Sequence, residues 1–132
     1  IDQNSIIESG MKIYAFDSYG KNISIAKKNS INALVKDVIH FKRVDIEYLD
    51  LLIKEEFDLI IGDFYKLDKK NLKYVMYSSK YLLNESGKLI IISEERIDKD
   101  IELYHKKYKL NSFIFKEYRY MTDKYFIYKI FK

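Results

Sequence analysis

The chain has no cysteine, no proline and no tryptophan, and of its 132 residues only four are glycine and two histidine. Without cysteine there are no disulfides, thiolate metal sites or thiol nucleophiles, and His40 and His105 alone leave little for a histidine metal cluster. Metal catalysis is not expected. No apolar run approaches the roughly 18 residues needed to cross a bilayer, and residues 1–10, IDQNSIIESG, lack the basic start and apolar centre of a signal peptide. The expectation is a cytoplasmic protein with no membrane contact. The chain starts abruptly at Ile1 rather than at a methionine, which suggests an N-terminally truncated fragment.

What is present is globular in character. Apolar residues make up 48% and charged residues 33%, over a length that suits one domain with one core. Twenty-four Lys plus Arg against twenty Asp plus Glu give +4, spread along the chain. That balance permits nucleic-acid binding without indicating it. The abundance of Lys, Asn, Ile and Tyr beside the missing Pro and Trp reads as base composition of the source genome, which discounts lysine and tyrosine as functional signals.

Periodicity orders the chain. Residues 12–16, KIYAF, are short, β-branched and aromatic, and end at polar DSYG, as a buried strand ends at its carboxyl edge. Ile23, Ala26, Ser30, Ala33 and Leu34 then recur at spacings of three and four, predicting a helix over 20–34. DVIHFKRVD, 37–45, reads as a strand ending in Asp45, and EYLDLLIKEE as a short helix or turn. Phe57 to Ile61 forms the clearest buried strand, closed by Gly62 and Asp63. A second helical stripe, Leu72, Val75, Met76, Ser79, Leu82 and Leu83, follows Asp68 as N-cap, with Gly87 near its stop. KLIIIS, 88–93, is a strand, and Ile97, Ile101, Tyr104 and Tyr108 mark a shorter helix. NSFIFKEYRY and KYFIYKIF around MTDK close the chain as an antiparallel hairpin. Such alternation predicts a mostly parallel α/β sheet with helices on both faces and no linker or repeat.

Ligands of open α/β sheets bind beyond the carboxyl ends of the strands, where Asp17, Asp45 and Asp63 lie. A carboxylate there can accept hydrogen bonds from both hydroxyls of a ribose. Asp17 can equally cap the helix that follows it.

The succession IYAFDSYGKNISIAKKNSINALVKDVIHFKRVDI, EEFDLIIGDFY, SSKYLLNESGKLIIIS, helix and hairpin resembles the class I S-adenosylmethionine-dependent methyltransferases over nearly the whole chain. The resemblance implies a Rossmann-like fold and S-adenosylmethionine as cofactor. It places Asp17, with Ser18, at the cofactor ribose, and Asp45, with Ile46, at the adenine. It makes Asp63, Phe64 and Tyr65 the catalytic loop after the family's fourth strand. Ser86 and Gly87 stand for the last two positions of the family's L-x-P-G-G segment, with Glu85 in place of the proline.

Two departures stand out. The family's G-x-G-x-G loop is not among these residues, whose glycines are Gly10, Gly20, Gly62 and Gly87. Residues 4–9, NSIIES, resemble the start of the helix after that loop, so the first strand is expected to be missing upstream of Ile1. That strand is central in the family, so either another segment or partner fills its place or the second strand closes directly on the fourth. The other departure is GDFY, where methyltransferases of nucleobase amines carry N-P-P-Y or D-P-P-Y. Ribosomal-protein methyltransferases lack that motif, and the C-terminal portion is similar to theirs. The implied acceptor is rRNA or another translation component such as a ribosomal protein.

The sulfonium methyl is already activated, so alignment would be the main catalytic term, with Asp63 positioning the acceptor or taking its proton. Asp63 can also be a solvated turn residue. His40 reads as a packing or surface residue, His105 as exposed on a lysine-flanked helix, and SEERIDKDIE as a solvated charge run. Lys106, Lys107, Lys109, Lys116 and Arg119, interleaved with Tyr108, Tyr118 and Tyr120, could form an RNA-facing patch. The rival readings are a truncated or degenerate methyltransferase-fold module that binds a partner without catalysis, and a different nucleotide-binding α/β enzyme. The C-terminal hairpin argues against the last.

Overall fold

A computed structural model describes residues 10–64 and 68–132. The chain divides into two compact units, one ending at Ile46 and the other running from Glu47 to Lys132.

The first unit is built from β1 (Ile13–Asp17), α1 (Gly20–Asn32), a 3-10 turn (Lys36–Val38) and β2 (Ile39–Arg43). β1 and β2 pair in parallel from Ile13 opposite Ile39 to Asp17 opposite Arg43. Two parallel strands cannot be joined by a tight turn, and α1 supplies the crossover. Its apolar stripe buries Ile23, while Ser30 is buried with its hydroxyl donating to the Lys27 carbonyl at 2.7 Å.

The predicted stripe extends two residues too far. The helix stops at Asn32 because Leu34 adopts φ 59°, with Leu34 N–H donating to the Ile31 carbonyl and Val35 N–H to the Ser30 carbonyl. This is the Schellman closure of a helix, with leucine in the left-handed position that glycine usually fills. Leu34 is 72% exposed, so no packing compensates the strain.

The second unit contains helices α2 (Leu49–Leu52), α3 (Lys69–Leu82) and α4 (Asp98–Lys107), and strands β3 (Phe57–Phe64), β4 (Leu83–Ser93), β5 (Ser112–Tyr120) and β6 (Asp123–Phe131). Its sheet runs β3-β4-β6-β5, with β3 parallel to β4 and the other neighbours antiparallel. The expected α/β fold is therefore present, with parallel ladders and a C-terminal antiparallel hairpin. β1–β2 and the four-stranded sheet are separate ladders, so direct pairing of β1 with β3 is not among the pairings of the described residues.

Alternation along the strands decides the core. Leu89, Ile91 and Ser93 of β4 and Phe126, Tyr128 and Ile130 of β6 are buried on one face, and α3 and α4 add Leu72, Val75, Met76, Leu82 and Ile101. On the other face of the sheet, Leu59 and Ile61 of β3 and Ile114 of β5 are about half exposed or more. Asp68 caps α3 as predicted, accepting from Lys70 N–H at 2.8 Å.

Two boundaries differ from the prediction. β3 continues through Gly62 and Asp63 to Phe64 instead of closing at them. β4 begins at Leu83, and Gly87 lies buried inside it rather than behind α3. Pairing slips there, from Phe57 opposite Leu83 to Leu59 opposite Lys88. A Cβ on Gly87 would lie 2.9 Å from the Asn84 carbonyl oxygen, so the bulge admits only glycine.

Candidate functional site

Asp17 is the last residue of β1, and the chain turns immediately into α1. Its Oδ1 accepts from Tyr19 N–H at 2.7 Å and its Oδ2 from the Asn22 side-chain amide at 3.0 Å. The N-cap Tyr19 has no side-chain cap bond, so Asp17 performs the capping from two residues upstream. Capping and ligand binding are compatible here, because each carboxylate oxygen retains a second lone pair.

β2 is fastened to this end of β1. Val44 N–H donates to the Asp17 carbonyl at 3.0 Å, and Arg43 Nε donates to the Ser18 carbonyl at 2.9 Å. Val44 is buried, which carries Asp45 just past the strand end into an exposed position beside half-buried Ile46. Asp17, Ser18 and Asp45 thus occupy the carboxyl ends of neighbouring parallel strands. A cleft of about 340 Å³ lies between β1 and α1, lined by Asp17, Asn22, Asn29, Ala15, Ile23 and Phe41 among others. Asn22 and Arg43 were not singled out from the sequence. The signal for Arg43 was its place in FKRVD, which sets it opposite Asp17 once the strands pair in parallel.

These residues suit the nucleoside end of S-adenosylmethionine. Asp17 keeps acceptor capacity toward hydroxyls, and Asp45 adds a second exposed carboxylate one strand away. The sequence supplies no G-x-G-x-G segment for the remainder of the cofactor.

In the second unit, Asp63 lies opposite Ile92 on the sheet face away from α3 and α4, and is exposed. Phe64 points to the opposite face, with its ring folded back over Gly62: a Cβ at 62 would be 2.5 Å from Phe64 Cε2. The adjacent residues expected to act together are therefore separated by the sheet. Tyr65, the third member, falls outside the described residues.

Other groups gather at the rim beside Asp63. Tyr125 of β6 lies opposite Tyr118 of β5. Burial and the nearby carboxylates of Asp123, Glu94 and Asp63 push the Tyr125 phenol above its ordinary pKa. Among the described residues no group of three or more His, Cys, Asp or Glu side chains could hold a metal ion. No helix among them is long and apolar enough to cross a membrane.

The predicted basic–aromatic patch is partly dismantled. Tyr108 is buried, stacking on Tyr104 at 5.9 Å, and Lys106 is paired with Glu102 at 2.8 Å. Arg119 is paired with Glu117 at 3.0 Å. His40 is exposed with its ring stacked against Tyr14, and His105, expected to be exposed, is half-buried with Nδ1 3.3 Å from the Leu110 carbonyl.

Solved structures of known proteins share this fold. An rRNA methylase from Streptococcus thermophilus superposes with a TM-score of 0.63 at 16% identity, over 90% of this chain and 72% of that one. TrmN from Thermus thermophilus gives 0.68 at 16% identity, over 98% and 40%. The N-terminal domain of human METTL16, in complex with SAH, gives 0.70 at 11% identity, over 92% and 52%. The chain thus spans about half the length, or less, of the last two. At these identities the likeness is one of fold. No curated protein sequence matches the chain. The model of UPF0020, the RMKL-like methyltransferase domain, matches residues 2–97, well over half of the sequence, and with the class I architecture around Asp17 and Asp45 this places the chain in that methyltransferase family.

Proposed function

We propose that the chain is the cofactor-binding and catalytic part of an S-adenosylmethionine-dependent methyltransferase whose acceptor is RNA, with rRNA the leading candidate. The observation that carries the reading is the family match over residues 2–97, which includes Asp17, Asp45 and Asp63. The rRNA methylase among its structural neighbours favours an RNA acceptor over a ribosomal protein. The neighbour bound to SAH, the product of S-adenosylmethionine, favours that cofactor.

Asp17 holds the ribose hydroxyls through its remaining lone pairs, with Ser18 beside it at the strand end. Asp45 accepts from the adenine amine and Ile46 packs at the base. The bound cofactor supplies an activated methyl group. Asp63 orients the acceptor and accepts its proton, so alignment contributes most of the rate.

Transfer of tritium from methyl-labelled S-adenosylmethionine tests this. Label recovered in RNA after incubation with rRNA, and lost in Asp63→Ala, is the expected result. Label in protein and none in RNA overturns the RNA acceptor, and no transfer to either substrate overturns the catalytic reading.

A further inference from the structure

α3 and α4 pack on one face of the four-stranded sheet, and on the other Leu59, Ile61, Ile114, Tyr118 and Tyr120 are exposed while Ile92, Tyr125 and Ile127 are half-buried. Directly paired residues of β5 and β6 point the same way, so Lys116 stands with Ile127, Tyr118 with Tyr125, and Tyr120 with Asp123. Ile92 belongs to this face because it pairs with Ile127, and Asp63 because it pairs with Ile92. The antiparallel course of β6 brings the hairpin turn to the carboxyl end of β3 and β4, the rim that carries Asp63. The influence of the Asp63 carboxylate on the Tyr125 phenol is the electrostatic mark of that proximity.

Tyr118 and Tyr120 are 46% and 69% exposed, a large aromatic surface to leave in water. Two positions along a strand separate their rings by about 6.7 Å, close to twice the roughly 3.4 Å step of stacked bases. Lys116 Nζ lies 5.4 Å from the centre of the Tyr118 ring. Lys88 and Lys129 continue the positive charge along the same face. The carboxylates of Asp63, Glu94 and Asp123 are confined to the rim. On the other face Arg119 and Lys124 are both spent on Glu117, at 3.0 and 3.6 Å.

We propose that the exposed face of the β5–β6 hairpin, Lys116, Tyr118, Tyr120 and Tyr125, is a base-stacking platform for single-stranded RNA that leads the acceptor nucleotide to Asp63. The inference rests on the RNA reading above and names the surface that recognises the substrate. Bases stack on Tyr118 and Tyr120 without regard to sequence, and phosphates meet Lys116 and Lys129. Rim carboxylates repel phosphate but accept hydrogen bonds from base amines, which orients the strand with its bases toward Asp63.

Fluorescence anisotropy with a fluorescein-labelled single-stranded oligoribonucleotide of about 12 nucleotides tests the platform, since stacking grooves take roughly 4–16. Each of Tyr118→Ala and Tyr120→Ala should weaken binding by roughly 5- to 150-fold, the equivalent of one lost base stack. Tyr118→Phe and Tyr120→Phe keep the ring and should keep the affinity. Titration with S-adenosylhomocysteine should be the same in all four variants, which separates substrate docking from the cofactor site. Wild-type affinity in both alanine variants overturns the platform while leaving an RNA acceptor standing. Equal losses in the alanine and phenylalanine variants overturn stacking as its basis. A wild-type chain that binds no oligonucleotide, or captures a ribosomal protein on Leu59, Ile61 and Ile114 instead, also overturns it, and the labelled-methyl assay then judges the RNA acceptor separately.

Discussion

Tyr128 shows how much one buried polar group can fix. It is fully buried, accepts from Ile97 N–H at 2.8 Å and donates to Asp98 Oδ1 at 2.5 Å. Burial and the Asp98 carboxylate push its phenol far above the ordinary range. Burial alone would raise the Asp98 carboxyl, but hydrogen bonds from Tyr128 and Arg96 outweigh it and hold its pKa below the ordinary aspartate value. Tyr128→Phe should therefore cost about 1–3 kcal/mol at neutral pH, because Ile97 N–H and Asp98 each lose a partner. A carboxyl whose folded pKa is depressed contributes stability above its unfolded pKa and loses it as pH falls through the lower folded value. Urea unfolding at pH 7 and pH 3 should show the wild type losing more stability than Tyr128→Phe, so the gap between them narrows in acid. A gap independent of pH would contradict this linkage. None of it was legible in the sequence, where Tyr128 was one of 13 tyrosines discounted as base composition.

The site residues divide in the same way. The placement of Asp17 and Asp45 at or just past strand ends was legible because polar residues that terminate apolar runs mark those ends, whereas Asp63 lies inside β3. Two features were not legible. The separation of Asp63 from Phe64 follows from β3 continuing past Ile61, and the grouping of Tyr125 and Glu94 with Asp63 follows from β6 lying beside β4. Both depend on tertiary pairing, which local periodicity does not encode.

At the scale of elements, the helices and strands were read well and their ends less so. α3 matched its stripe and its Asp68 cap because both are local signals. Gly87 misled because glycine serves equally as a helix stop and as the tight point of a bulge, and only the slip in register distinguishes them. Gly87→Ala should cost at least about 1–3 kcal/mol, since its Cβ would press on the backbone carbonyl of Asn84 at 2.9 Å. α1 offers the opposite case. Leu34→Gly should stabilise the chain by about 0.5–1 kcal/mol, because it relieves φ 59° at an exposed position and removes no buried contact. Thermal unfolding checks both, and a lower midpoint for Leu34→Gly would contradict the strain assigned to the end of α1.

Across the whole molecule, the order of elements predicted an α/β sheet closed by a hairpin, and the family model and fold agree. The division into two units was not legible, since no proline, glycine-rich or charged linker marks it near Ile46. On the proposed function each unit carries its own half of the chemistry: Asp17, Ser18 and Asp45 for the nucleoside in the first, Asp63 and the hairpin tyrosines for the acceptor in the second. Substitutions should therefore separate cleanly. Tyr118→Ala should leave S-adenosylhomocysteine affinity unchanged, and Asp17→Asn should leave oligonucleotide affinity unchanged.

The cofactor site is the centre of the account, and calorimetric titration with S-adenosylhomocysteine tests it most directly. Asp17→Asn is the informative variant, because the amide oxygen still accepts from Tyr19 N–H and preserves the cap while the charge is lost. Loss of charged hydrogen bonds to ligand hydroxyls costs about 1.5–3 kcal/mol, so binding to the wild type should weaken roughly 10- to 150-fold in the variant. Absence of binding to the wild-type chain, or equal affinity in wild type and Asp17→Asn, would contradict the assignment.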